Sequence, residues 1–182
     1  MASFYTGGGD QGETGFLGKG RISKSSLRIE AVGTVDEVTA ALGFSRSIAA
    51  SEKTRSILLQ IQKQLYGLMT ELSASPENAE IFSRITGEDI AWLEGQVGEI
   101  EKIVALPREF ILPGETPASG ALSLARTITR RAERRVVSLY DAGEISNKDL
   151  IAYLNRLSSL LFILEVYESS QSGGTVRLAK GG

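Results

Sequence analysis

The sequence predicts an all-α fold, a five-helix, up-and-down bundle preceded by a flexible glycine-rich N-terminal arm. Three observations carry this expectation. Apolar residues recur at steps of three and four in five successive stretches, the spacing of one helix face. Helix-start residues precede several of those stretches, with Thr116-Pro117 the strongest, a hydroxyl at the N-cap and a proline where no amide hydrogen bond is needed. No stretch alternates with period two, and no strand-helix-strand unit appears.

The elements follow in order. Gly7, Gly8, Gly9, Gly12, Gly15, Gly18 and Gly20 crowd residues 6–20, so residues 1–25 read as a mobile arm. The first helix runs from about Leu27 to Ala49 on Ile29, Val32, Val35, Val38 and Leu42. The second continues to about Ala74 on Ile57, Leu58, Ile61, Leu65, Leu68 and Leu72. After the polar connection at Ser75-Pro76, Thr86 and Asp89 open a third helix carrying Ile90, Leu93, Val97, Ile100 and Val104. Pro107 and Pro113 bracket an irregular segment around Phe110. The fourth helix begins at Thr116 and buries Ala121, Ala125, Ile128, Ala132, Val136 and Leu139. Ser146 with Asp149 opens the fifth, whose Leu150, Leu154, Leu157, Leu161 and Leu164 form a bundle seam. The Gly/Ser-rich residues 170–182 read as a loose tail. Residues 1–182 are expected to form one domain.

Composition removes several kinds of chemistry. Apolar residues at 42% with 23% charged fit an ordinary globular domain. The chain has no cysteine and no histidine, which excludes disulfides, thiolate nucleophiles, Cys- or His-type zinc sites and every Ser-His or Cys-His mechanism. Chemistry must come from carboxylates, Lys/Arg, hydroxyls, backbone amides or a bound molecule. The net charge of −2 argues against a nucleic-acid partner held by bulk potential. The apolar runs read as too short to cross a bilayer and no charged leader is evident, so a cytoplasmic protein with no membrane partner is expected.

The fourth helix carries the most chemistry. Arg126, Arg130 and Arg134 stand four apart, one position round from the apolar stripe. This ladder is either a solvated basic face, helped by Glu133, or a grip for a multi-oxygen anion such as a triphosphate, since each fork takes two oxygens. The arm Thr6-Gly-Gly-Gly-Asp-Gln-Gly-Glu-Thr-Gly15 approximates P-loop spacing, but Glu13 stands where that motif needs lysine and no helix follows at once. It reads as a mobile terminus or as amides converging on phosphate. Lys24 is a solvent lysine or a phosphate ligand. Asp36, flanked by Val35 and Val38, either faces water like Glu37 or lies near the core and pairs with an arginine. Asn155, beside the leucine seam, caps a turn, pairs with another helix or touches a ligand. Phe110 fills the core or walls an apolar pocket.

Taken together, Tyr5-Thr-Gly-Gly-Gly-Asp-Gln-Gly, Arg21-Ile-Ser-Lys24, Val32-Gly-Thr-Val-Asp-Glu37, Phe110-Ile-Leu-Pro-Gly114, Ala125-Arg-Thr-Ile-Thr-Arg-Arg-Ala-Glu-Arg-Arg135 and Tyr153-Leu-Asn-Arg-Leu-Ser158 resemble the PduO-type ATP:cob(I)alamin adenosyltransferases over nearly the whole chain. The resemblance implies transfer of the 5′-deoxyadenosyl group of ATP to cob(I)alamin, with Mg2+, in a homotrimer whose sites lie between subunits and which a reductase partner serves. It implies that Thr6, Gly7, Gly8, Gly9, Thr14, Gly15, Lys24, Arg130, Glu133, Arg134 and Asn155 contact ATP. Phe110 and Phe162 would line the corrinoid pocket, and Asp36 and Arg126 would pair across the interface, with Arg126, Arg130 and Asp36 the catalytic set. Protein ligands of the metal are not implied. The chain departs from the family at Gly7, where Lys or Arg is usual, at Gly8, usually Thr, at Gln11, often Lys, and at Ser159, usually Asp. A non-catalytic ATP- or phosphate-sensing bundle is the alternative, and a helical module touching nucleic acid through residues 130–135 is the third reading.

Overall fold

The computed structural model describes residues 7–180. Five helices dominate it: α1 (Leu27–Ile48), α2 (Glu52–Ser73), α3 (Gly87–Glu101), α4 (Pro117–Asp141) and α5 (Asp149–Gln171). The core is continuous through Val35, Leu42, Leu58, Leu68, Leu122, Leu139, Leu154 and Leu161, each fully buried. Helix starts are where the caps place them. Ser26 accepts from Ile29 N. Thr86 and Asp89 form a capping box, and Thr116 Oγ1 accepts from Ser119 N at 3.1 Å while Ser119 Oγ accepts from Thr116 N at 3.0 Å. At α5 the sequence signal was one residue early: Asn147 Oδ1, rather than Ser146, accepts from Asp149 N at 3.0 Å.

The packing order differs from a sequential up-and-down bundle. α1 packs on α2 and α4, α4 on α5, and α5 on α3. The connections 74–86 and 102–116 are long enough to carry the chain across the bundle, so α3 packs chiefly on α5 and meets α2 through side chains, Lys53 with Glu99 and Gln64 with Asp89, each at 3.0 Å. Among the described residues α5 is also long and apolar enough to cross a membrane by length and composition, which the sequence reading did not anticipate. Two thirds of its apolar window (67%) is buried in the bundle, as a core helix requires.

Two short antiparallel ribbons were not foreseen. β1 (Glu13–Gly15) pairs with β2 (Arg21–Ser23) inside the glycine arm. The arm docks through Leu17, whose N–H donates to Ser73 O at 2.8 Å and whose carbonyl accepts from Ser75 N at 3.2 Å. Gly18 permits that approach: at φ +136° a Cβ would lie 2.3 Å from Ser75 Oγ. β3 (Ile111–Leu112) pairs with β4 (Arg177–Leu178), so part of the expected loose tail is stitched to the loop after α3. Three-residue and two-residue strands are too short for alternation to register in sequence.

Buried charges close the helix ends. Arg28, 5% exposed, donates to Leu72 O at 3.0 Å, Ala74 O at 3.4 Å and the Glu144 backbone O at 2.6 Å, satisfying carbonyls at the end of α2. Glu168 accepts from Ala50 N and Ser51 N at the start of α2. Replacing Arg28 with Met strands those carbonyls, and we expect a stability loss of about 3 kcal/mol in urea unfolding.

Candidate active site

α4 positions the cationic residues because its inward side is made of small ones. Ala121, Ala125, Thr129 and Ala132 are buried, which lets α1 and α5 approach closely. Arg126 lies partly buried at the edge of that side, while Arg130 and Arg134 are exposed further along. Arg134 Nη1 donates to Arg130 O at 2.9 Å.

Two cavities meet on this face and share Arg126 and Phe162. One, of about 300 Å³, is completed by Leu106, Arg130, Ser158, Ser159 and Ile163. Its wall holds two guanidinium groups and no carboxylate, a wall suited to a polyanion. The other, of about 340 Å³, is completed by Pro107, Arg108, Glu109, Phe110 and Ile111. Phe110 is not core filling: at 87% exposed it stands at the edge of this cavity. Its carbonyl accepts from Ala179 N at 2.7 Å, so the β3–β4 ribbon fixes the loop that presents it.

A carboxylate the sequence reading missed stands behind Arg126. Glu165 on α5 is 2% exposed, and its Oε2 lies 3.8 Å from Arg126 Nε. Neither atom has a hydrogen-bond partner. Burial pushes the Glu165 carboxyl above the usual carboxylate range, and the Ser123 hydroxyl and the Arg126 guanidinium pull the other way. The signal was present in sequence: a single acid set among Ile163, Leu164 and Val166.

The remaining predicted residues fall into two groups. Asn155 Nδ2 donates to Glu133 Oε1 at 3.0 Å, joining α5 to α4. Both line a third cavity of about 300 Å³ with Tyr140 and Lys148. In the arm, Lys24 Nζ stands over Gly9, where a Cβ would come within 2.8 Å of it. Arg21 clamps the same loop, donating to Gly8 O and pairing with Glu13 at 3.2 Å. Thr14 and Gly15 belong to β1, Gly7 takes φ +68°, and Thr6 lies outside the described residues.

Asp36 differs from the expectation of burial beside an arginine. Within one chain it is exposed and lines a separate cavity of about 450 Å³ with Gly15, Phe16 and Tyr66. The buried stripe of α1 runs through Ala31, Val35, Val38 and Leu42, leaving Asp36 on the side toward α2. The arginines of α4 find other acids: Glu165 for Arg126, Glu37 for Arg131 and Glu30 for Arg135. The cavity that holds Gly15 and Asp36 shares no lining residue with those along α4. Among the described residues no group of three acidic side chains is placed to hold a metal ion.

On this helical bundle the arginine groove of α4 opens beside a cavity edged by Phe110 and Phe162. The chain belongs to the cobalamin adenosyltransferase family, which matches residues 4–168. It is 40% identical over 172 residues to the corrinoid adenosyltransferase PduO of Salmonella typhimurium, covering 93% of this chain and 51% of that one. The chain thus spans about half of that relative's length. It is 36% identical over 173 residues to the corrinoid adenosyltransferase of Bacillus subtilis, covering 93% and 88%. A variant of the PduO-type ATP:corrinoid adenosyltransferase from Lactobacillus reuteri, solved with cobalamin and ATP, superposes with a TM-score of 0.90 at 32% identity, covering 98% of this chain and all of that one.

Glu165 gives a stability prediction with a definite sign. A carboxyl whose folded pKa is raised costs the fold nothing below the unfolded value and progressively more as pH rises through the folded value. Glu165→Gln should therefore match or exceed wild-type melting temperature at pH 7, and this difference should close as pH is lowered toward the ordinary carboxylate range, read by thermal melts across pH.

Proposed function

We propose that this chain transfers the 5′-deoxyadenosyl group of ATP to cob(I)alamin, releasing triphosphate. The observation that carries the reading is the pair of cavities sharing Arg126 and Phe162, one adding Arg130 and no carboxylate, the other adding the exposed ring of Phe110. Cobalt(I) supplies an electron pair to the 5′ carbon as the carbon–oxygen bond to triphosphate breaks, and the bond's electrons leave with the phosphate oxygen. No protein base is required, which suits a chain without His or Cys. The protein orients the reactants and stabilises charge on the leaving group.

In this reading Arg130, Arg134, Lys24 and the amides of Gly7, Gly8 and Gly9 hold the triphosphate, with Thr6, Thr14 and Gly15 in the same arm. The Glu133–Asn155 pair contacts the nucleoside end. Phe110 and Phe162 flank the corrin ring and exclude water and the lower base from cobalt. Because no acidic cluster offers a cage for Mg2+ among the described residues, we assign it no protein ligands and route no step through it. Asp36 pairs with Arg126 across subunits of a homotrimer, a reading favoured by the separation of the arm side from the α4 cavities within one chain. The reductase partner rests on the family resemblance alone, and the cytoplasmic location on the sequence reading of the apolar runs and the N-terminus.

Incubation with ATP, magnesium and reduced cobalamin tests the proposal. Light-sensitive adenosylcobalamin and free triphosphate are expected, and a phosphate-sensing bundle yields neither. Arg130→Ala should lower kcat by about 10²- to 10³-fold, the scale for removing one donor to developing charge, with helicity by circular dichroism unchanged. Phe110→Ala should keep its affinity for ATP in calorimetry while losing the four-coordinate cob(II)alamin spectrum.

A further inference from the structure

We propose that Glu165 is a positioning residue whose buried carboxylate fixes the Arg126 guanidinium at the wall shared by the two cavities. The inference rests on reading those cavities as the reaction site. The other buried carboxylates have evident structural partners. Glu168 accepts two backbone N–H groups at the start of α2. Glu71 accepts from Arg84 N, Ile85 N and Asn147 Nδ2. Glu165 Oε2 has no such bond, and the group facing it is Arg126 Nε, itself without a hydrogen-bond acceptor. A buried carboxylate with one oxygen facing only a cation 3.8 Å away, and with the Ser123 hydroxyl as its other support, is an expensive way to fill a leucine seam.

What the pair achieves is control of a long side chain. Glu165 lines neither cavity, so it does not touch a ligand there, whereas Arg126 lines both. Attraction at Nε from α5 and the bond from Nη2 to Ser123 Oγ, 3.3 Å away on α4, hold the guanidinium from two sides. An arginine held in place before ligands arrive loses less rotamer freedom when they bind. Ser159, which lines the arginine-walled cavity, brings no charge, so the acid that orders this arginine in one chain comes from the next turns of α5.

The test is a double-mutant cycle on the full chain, with wild type, Glu165→Gln, Arg126→Ala and the double variant compared in the adenosylation assay and in thermal melts at pH 7. Glu165→Gln should reduce kcat at least tenfold with melting temperature unchanged or raised. In the Arg126→Ala background the same change should alter the residual rate less than twofold. Wild-type turnover in Glu165→Gln overturns the proposal. So does a loss of equal size in both backgrounds, or a lowered melting temperature accompanying the lost rate, since each marks a purely structural role. If wild type itself forms no product, the functional reading fails, and hydrogen exchange at Arg126 Nε, followed by nitrogen-15 NMR, still decides the positioning. Slow exchange in wild type that becomes fast in Glu165→Gln supports it, and equal exchange overturns it.

Discussion

The close approach of α4 to its neighbours is the contact on which the site depends. Alanine and threonine on the inward side of α4 leave little between its backbone and those of α1 and α5. Arg126 and Arg130 stand one step round from that side, and they are carried to the groove between α4 and α5, beside Ser158, Ser159 and Phe162. A larger residue at Ala125 would part the helices and open the arginine groove, so the small side chains are as much part of the site as the charged ones. Packing and chemistry are set by the same few turns.

The irregular segments complete what the helices begin. The β1–β2 ribbon gives the glycine arm a fixed shape from residue 13 onward, and Arg21 and Lys24 close on its loop at Gly8 and Gly9. The β3–β4 ribbon ties the far end of the chain to the loop that presents Phe110. In both cases backbone pairing of two or three residues holds a loop that the proposed function assigns to a ligand, where a free loop would have to be ordered by the ligand itself.

Helices and caps were legible because their signals are local. Thr116-Pro117 and the Thr86/Asp89 box fix their helix starts through atoms within one turn. The leucine spacing of α5 marked its buried side. The ribbons were not legible: β1 and β2 are too short for alternation to register, and the docking of Leu17 on Ser73 and the pairing of Ile111 with Leu178 are contacts distant in sequence. Packing order escaped for the same reason: periodicity says that a helix has a buried face, not which neighbour covers it. At the site, the arginine spacing on α4 and the aromatic at 110 could be read directly. Glu165 was visible as an acid in an apolar run, but only the fold shows that Arg126 is what it faces.

Arg126 also shows why the two sides of one protomer can remain separate without leaving a loose charge. Its guanidinium has five N–H donors, and Glu165 faces only the Nε position. Asp36 is exposed on α1, on a face whose cavity shares nothing with the arginine groove of its own chain. In the proposed homotrimer a neighbour's Asp36 would approach the open edge of a fork already held at its rear. Two carboxylates then have separate tasks, the internal one setting the direction of the side chain and the incoming one completing the ion pair. Such an arrangement lets assembly complete the site without first ordering its arginine, so less binding energy is spent on conformational freedom when subunit and nucleotide arrive.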